Sequence, residues 1–392
     1  MSWPQVALGE AADIVGGSTP SSSLRELWDG GIAWATPTDL SVLTSKFIDR
    51  TERTISPAGL QSCAAKVLPP NSVLFSSRAP IGLVAINKIP MATNQGFKSF
   101  IPKPDRTDAK FLYWWLRANR PFLESLGNGA TFKEVSKAIV SRIEIPQPPL
   151  AEQRRIAAVL DRAEALRAKR RAALAQLDIL TQSIFIDVFG DPATNPKGWP
   201  VLQLHEVVKE GTIVTYGIVQ AGEEFPGGVP YIRTGDIVGG EIVTSGLRHT
   251  DPEIAAKFSR SRVEAGDIVM SIRATVGTTA LVPRELDGAN LTQGTGKISP
   301  GKKIERFYLL NYLRASGTQH WIRLQIKGAT FREITLTRLR ELPVAVPPIA
   351  TQREFARAVK AIEKLKTAHS ASLAELASLF ASLQHRAFRG EL

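Results

Sequence analysis

The sequence is written twice: motifs from residues 1 to about 190 return in the same order between about 195 and 390, so whatever scaffold the first half builds, the second builds again. Trp3-Pro4 with Leu8 and Glu10 returns as Trp199-Pro200 with Leu204 and Glu206, and Asp39 of Thr-Pro-Thr-Asp-Leu returns as Asp236 of Arg-Thr-Gly-Asp-Ile. Ser72 to Arg78 with Gly82 matches Asp267 to Arg273 with Gly277, and Asn94-Gln95-Gly96 matches Thr292-Gln293-Gly294. Leu116-Arg117-Ala118 pairs with Leu313-Arg314-Ala315, and Gly129-Ala130-Thr131-Phe132 with Gly328-Ala329-Thr330-Phe331. Each half then closes on a Pro-Pro and Gln-Arg element, Pro148-Pro149 with Gln153-Arg154 and Pro347-Pro348 with Gln352-Arg353. The matched positions are mostly apolar, glycine or proline and the segments between them diverge, which implies one scaffold carrying two different surfaces.

After each Pro-Pro comes a run free of glycine and proline, Leu150 to Phe189 and Ile349 to Arg389, rich in good helix formers and stopped by Gly190 and Gly390. Each predicts a helix of roughly 60 Å at about 1.5 Å per residue. Alternate steps of four and three trace a seam through Ile156, Leu160, Ala163, Arg167, Arg170, Leu174, Leu177, Thr181, Ile184 and Val188. The second helix gives Phe355, Val359, Ile362, Lys366, His369, Leu373, Leu376, Phe380, Leu383 and Ala387. Helices of this length need a partner surface, and the simplest is an antiparallel pairing of the two. Both seams turn basic at one matching level, so Arg167, Arg170, Lys366 and His369 need acidic partners, solvent or a protein docked across the pair. A solvated face is the competing reading.

The segments before each helix have mixed character. Ile32 to Ala35, Ser72 to Phe75, Gly82 to Ile86 and Ile268 to Met270 predict strands; Ala109 to Asn119 and Phe307 to Ala315 predict helices. The fold class is therefore α+β, with two pseudo-repeated globular domains joined by two long helices. Each Gly-Ala-Thr-Phe element, followed by Lys133-Glu134 or Arg332-Glu333, predicts a turn into a short helix capped by Thr131 or Thr330, a place where a phosphate could be held.

Charge narrows the partner. With 49 Lys and Arg against 37 Asp and Glu, the formal net charge of +12 favours a polyanion. Hydrophobic residues at 43% allow sizeable cores, and Cys63, the sole cysteine, excludes an internal disulfide and a cysteine-rich zinc module. The start Met1 to Val6 lacks a basic segment leading into an apolar one, and about 18 apolar residues never run uninterrupted, so the expected compartment is the cytoplasm.

A search for catalytic chemistry returns nothing complete. Asp191-Pro192 and Asp251-Pro252 lack the second proline and aromatic residue of an amino-methyltransferase loop. Gln293-Gly294-Thr295-Gly296-Lys297 lacks the hydroxyl residue of a phosphate loop, because Ile298 stands there, and Leu291 stands where a glycine belongs. Asp105 and Asp108, before Lys110, are too close in sequence to converge on a metal from separate strands, and His205, His249, His320, His369 and His385 are scattered.

Two diverged globular units, each followed by a Pro-Pro element, a Gln-Arg pair and a long helix, resemble the specificity subunits of type I restriction-modification systems over nearly the whole chain. Leu150-Ala151-Glu152-Gln153-Arg154-Arg155-Ile156 is similar to that family's helix-entry motif; Ile349-Ala350-Thr351-Gln352-Arg353-Glu354-Phe355 resembles it with Thr351 where Glu is usual. The resemblance implies a first target-recognition domain at 1–147, a first helix at 148–190, a second target-recognition domain at 191–346 and a second helix at 347–392. It implies that each domain reads half of a bipartite double-stranded DNA target, that the helices set the spacer, and that two methyltransferase and two motor endonuclease subunits assemble on the chain. S-adenosylmethionine, ATP and magnesium then belong to those partners, and no catalytic site or metal to this chain. The rival reading is a protein-interaction scaffold that reads no DNA.

Arginine and lysine read guanine and asparagine and glutamine read adenine, because their donors and acceptors match the major-groove edges. The candidate readers are Arg78, Asn94 and Gln95 in the first unit and Arg233, Arg273 and Gln293 in the second, with Lys133 and Arg332 on phosphate. Arg78 and Arg273 occupy matching positions, which suits a shared backbone contact, or an internal salt bridge, better than base discrimination.

Overall fold

The computed structural model describes residues 3–128, 133–328 and 332–392. By contact density the chain forms two compact units, Met1–Arg171 with Ala371–Leu392, and Ala172–Ser370. Both are α+β, as the sequence implies.

In the first unit, five strands lie in the order Ala12–Gly16, Lys98–Pro102, Val73–Phe75, Val84–Asn87, Phe47–Ile48, all antiparallel except the last pair. The central strand shows why. Val73 and Phe75 enter a core with Phe100, Phe111 and Trp114, whereas Leu74 between them enters a second core with Leu68, Ala85 and Phe97. Successive side chains of a strand point to opposite faces, and an apolar run with a core on each side is what a strand buried on both faces requires. The helix Ala109–Ala118 covers one face, with Phe111 through Leu116 all buried; full burial of one such large side chain contributes about 2–3 kcal/mol. A second, three-stranded sheet orders Arg53–Ile55, Trp28–Ala35 and Ala92–Thr93.

The second unit repeats the plan. Its four-stranded sheet runs Thr215–Tyr216, Thr295–Ile298, Ile268–Ser271, Thr279–Leu281, and its three-stranded sheet runs Arg248–Thr250, Val229–Ile232, Asn290–Leu291. Ile268 and Met270 face one core and Val269 the other, the same alternation as in the first unit. Helix Arg306–Arg314 stands where Ala109–Ala118 stands. The expected strand Gly82 to Ile86 begins two residues late, at Val84, because Gly82 is held at φ 92° in a tight turn.

The long helices span Leu150–Phe189 and Ile349–Ala387. Gly190, at φ 82°, ends the first, its N–H donating to the Ile186 carbonyl at 2.8 Å. The second stops two residues before the expected Arg389, since Phe388 turns inward onto Phe111, their rings 5.5 Å apart. By its length and composition the first helix could cross a membrane, but its most apolar end packs Phe185 and Phe189 against Tyr308 and Phe355 in the core of the second unit.

The predicted seams are the buried edges of the helices. Ile156, Leu160, Phe380 and Ala387 are buried in the first unit, and Thr181, Phe355, Val359 and Ile362 in the second. Pairing is antiparallel: in the first unit Arg155 reaches the Leu392 carbonyl at 3.1 Å and Arg167 lies 4.5 Å over the Phe380 ring; in the second, Lys366 pairs with Asp178 at 2.8 Å and Phe355 packs on Phe185 and Phe189.

Candidate nucleic-acid interface and helix pair

In each unit the central strand, Val73–Phe75 or Ile268–Ser271, runs into a tight turn that carries the matched arginine. Ser76 Oγ donates to the Pro80 carbonyl at 2.7 Å and accepts the Leu83 N–H at 2.8 Å; Ser271 Oγ donates to the Arg273 carbonyl at 2.8 Å. The residue after each arginine is left-handed, Ala79 at φ 47° and Ala274 at φ 58°. A left-handed residue with a Cβ costs about 1–2 kcal/mol, and both units hold it at the same place.

Two further loops meet this turn. The Ser77 N–H donates to the Gly96 carbonyl at 2.8 Å and the Ile272 N–H to the Gly294 carbonyl at 2.9 Å, while the Asn94 N–H reaches Ala35 at 3.0 Å and the Thr292 N–H reaches Ile232 at 3.2 Å. A Cβ on Gly96 would lie 3.0 Å from Asn94 Oδ1, 3.4 Å from Pro37 and 3.7 Å from Arg78; one on Gly294 would lie 2.9 Å from Thr234 and 3.9 Å from Arg273. Glycine thus lets three loops close together in each unit. The structure accordingly gathers Arg78, Asn94 and Gln95 in one unit and Arg233, Arg273 and Gln293 in the other.

Their side chains are not equally committed. Asn94 Oδ1 accepts the Gly96 N–H at 2.9 Å, and Gln95 Oε1 accepts from the Thr19 hydroxyl. Arg78 lies 3.8 Å from Glu134, which also takes Lys98 at 2.9 Å, and Arg273 Nε donates to Glu333 at 3.0 Å, so the internal salt bridge considered from sequence is present in both units. Arg233 forks onto Asp236 through Nε at 3.0 Å and Nη2 at 2.7 Å. In the first unit the matching Asp39 takes the Thr36 backbone N–H at 2.7 Å and the Thr36 hydroxyl at 2.6 Å. The same carboxylate therefore supports an arginine in one unit and a threonine in the other. Side-chain exposures of 34% for Arg78, 40% for Arg233 and 45% for Arg273 leave outer donors facing solvent.

Lys133 and Arg332 are exposed. The Arg332 carbonyl accepts the Ala274 N–H at 3.1 Å, which puts it beside the arginine turn. Residues 129–132 and 329–331, with the expected caps Thr131 and Thr330, lie outside the described residues. Lys297, in the segment that half-matches a phosphate loop, is buried in a strand with its amine on the Arg262 carbonyl at 2.5 Å and 3.6 Å from Asp267.

In each unit acidic partners meet part of the basic stretch of the seam. Arg167 binds Glu164 at 2.5 Å, and Lys366 binds Asp178 at 2.8 Å and Glu363 at 3.0 Å. Burial presses the Lys366 pKa down, but the hydrogen bonds its amine donates to Asp178 and Glu363, with their charge, outweigh it and raise the pKa. Arg170 and His369 are half-buried and have interactions of their own.

Sequence reasoning missed the role of the Gln of each Gln-Arg pair. Gln153 accepts the Asp108 N–H at 2.8 Å and donates to the carbonyls of Arg106 at 2.7 Å and Pro148 at 2.9 Å; Gln352 accepts the Glu305 N–H at 2.8 Å and donates to Lys303 at 3.2 Å and Pro347 at 2.7 Å. Each glutamine staples its long helix to the preceding globular segment. Beside the helices lie two clefts, about 800 Å³ in the first unit and about 830 Å³ in the second. The first is lined by Lys46, Arg117, Arg120 and Arg171 against Asp161 and Glu164; the second by Asp178, Glu241, Glu285 and Glu363 against Arg314 and Lys366. Their charge balance is opposite.

A family model described as the type I restriction modification DNA specificity domain matches residues 2–176 and 196–377. The type I restriction enzyme MjaIX specificity subunit of Methanocaldococcus jannaschii is 32% identical over 268 residues, covering 62% of this chain and 60% of that protein. The EcoBI specificity subunit of Escherichia coli is 26% identical over 333 residues, covering 77% of this chain and 70% of that one. In fold, the chain matches a structure from work on complex assembly and conformational transition of the type I R-M system, with TM-score 0.58 and 22% identity over 100% of this chain and 98% of that one. A type I restriction-modification S subunit from M. genitalium gives TM-score 0.57 at 16% identity, over 98% and 96%.

Proposed function

Since the chain belongs to the type I restriction-modification DNA specificity family, we propose that it is the sequence-reading subunit of such a complex, with each unit reading one half of a bipartite double-stranded DNA target. The observation that carries this reading is the three-loop cluster built twice on one scaffold with different side chains on it. A matched frame with Thr36 in one unit and Arg233 in the other on the same aspartate is what reading two different half-sites asks for. Arg78 and Arg273, tied to Glu134 and Glu333, keep outer donors for the DNA backbone, with Lys133 and Arg332 alongside.

The segments 1–147 and 191–346 are the two readers and 148–190 and 347–392 the helices, which set the unread spacer. Two methyltransferase subunits dock on the helices at Arg167, Arg170, Lys366 and His369, and two motor endonuclease subunits join them. S-adenosylmethionine, ATP and magnesium reside on those partners, this chain is not catalytic, and the complex works in the cytoplasm. Family membership favours this over a scaffold that reads no DNA.

Methylation-sensitive sequencing of DNA from cells carrying the complete complex tests the proposal. The expected motif has two half-sites around an unread gap, and Arg233→Ala relaxes one half-site alone. A motif with a single contiguous half, or one unchanged in the variant, defeats the two-reader account.

A further inference from the structure

A further loop joins the cluster in both units. Gly17 to Thr19 follow the strand Ala12–Gly16, and Gly217 to Val219 follow Thr215–Tyr216. The strand registers match: Gly16 lies opposite Lys98 and Tyr216 opposite Gly296, two residues past Gly96 and Gly294 respectively. The Ser18 N–H then donates to the Thr93 carbonyl at 3.0 Å and the Ile218 N–H to the Leu291 carbonyl at 2.6 Å. A Cβ on Gly17 or on Gly217 would lie 1.9 Å from a carbonyl oxygen of the facing loop, so only glycine lets the two loops lie this close. Thr19 and Val219 therefore stand at equivalent points, Thr19 bonded to Gln95, and Val219 next to Ile218, whose carbonyl accepts the Gln293 N–H at 2.8 Å.

The two positions treat the matched glutamine differently. The Thr19 hydroxyl donates to Gln95 Oε1, while Gln95 Nε2 has no partner among the described residues. Val219, 47% exposed, has no hydroxyl to offer, and the Gln293 side chain makes no hydrogen bond among the described residues. A free carboxamide carries an acceptor and a donor side by side, which match the N6 amino group and N7 of adenine. A carboxamide whose oxygen is turned onto a threonine presents its amino group instead. Two N–H donors match guanine, whose major-groove edge carries acceptors at N7 and O6, whereas the N6 amino group of adenine would set donor against donor.

We propose that Thr19 and its counterpart Val219 set which purine the matched glutamine reads: held by Thr19, Gln95 reads a guanine in the first half-site, and left free by Val219, Gln293 reads an adenine in the second. Thr19 is a positioning residue that acts on the base through Gln95. The backbone frame is the same in both units, so the choice of purine comes down to one side-chain hydroxyl. The inference rests on the two-reader account above and adds base chemistry to it.

The test uses the complete complex. Methylation sequencing of the wild type gives the two half-sites, and competition binding on duplexes altered one base pair at a time follows each position. Gln95→Ala is expected to relax a guanine position in the first half-site and Gln293→Ala an adenine position in the second, each with discrimination lowered on the order of tenfold. Thr19→Val is expected to move that first-half position from guanine to adenine, and Val219→Thr to move the second-half position from adenine to guanine. Thr19→Ser, which keeps the hydroxyl, is expected to retain guanine. A Thr19→Val complex that keeps guanine, or that weakens every first-half sequence equally, overturns the inference and leaves the two-reader account standing, as does a Gln95→Ala complex that relaxes no guanine. A wild-type motif without two half-sites overturns both.

Discussion

Gln153 and Gln352 each satisfy three backbone groups where a long helix leaves its globular segment, and both are fully buried. Alanine there removes the hydrogen bonds and strands buried amide and carbonyl groups, which cost roughly 1–3 kcal/mol each when left unpaired. Gln153→Ala is therefore expected to destabilise the first unit by about 3 kcal/mol and Gln352→Ala the second by a similar amount. Differential scanning calorimetry should show the transition of the altered unit moving down while the other stays; a shift shared equally by both would mean that the staples do not act locally. The neighbouring Arg154 and Arg353 are exposed, so in each Gln-Arg pair the glutamine serves the fold and the arginine remains on the surface.

Among the elements, the reading loops depend on close approach. Gly294→Ala places a Cβ 2.9 Å from Thr234, which crowds the Arg233 loop, and Gly96→Ala places one 3.0 Å from Asn94 Oδ1, the acceptor of its own N–H. Gly294→Ala is expected to weaken reading of the second half-site by about tenfold and to leave the first intact, and Gly96→Ala to do the reverse; binding measured on DNA carrying only one intact half-site checks this. The loops also mark where sequence reasoning stopped. The strands were legible as short apolar runs such as Val73 to Phe75, and the long helices because burial imposes a period of three to four, as along the seam from Ile156 to Val188. The Gln-Arg repeat was visible too, but not its purpose, since Gln153 binds Asp108 from 45 positions away. Lys366 and Asp178 meet only once the helix register is known. Glu164, three residues before Arg167 on one helix, was a partner that helical spacing alone could have supplied. The matched acid under Arg233 was visible as Asp236, yet nothing in residue type says that its carboxylate forks onto an arginine.

For the whole molecule, the division into units does not follow the order of the chain. The first unit needs Ala371–Leu392, whose Phe380, Ala387, Phe388 and Leu392 enter the core of Phe111 and Trp114. A chain ending at Ser370 is expected to keep the second unit folded and to lose the first, seen by limited proteolysis as a protected fragment lying within 172–370; protection of 3–171 would disprove it. The same division governs synthesis. Residues 172–370 are one continuous stretch and can close as soon as they have emerged, whereas the segment translated first must wait for the last turns of the second helix. At roughly 5–20 residues per second, the earlier half of the message yields the later half of the fold, and for that interval its unfinished core stands open to chaperones and proteases.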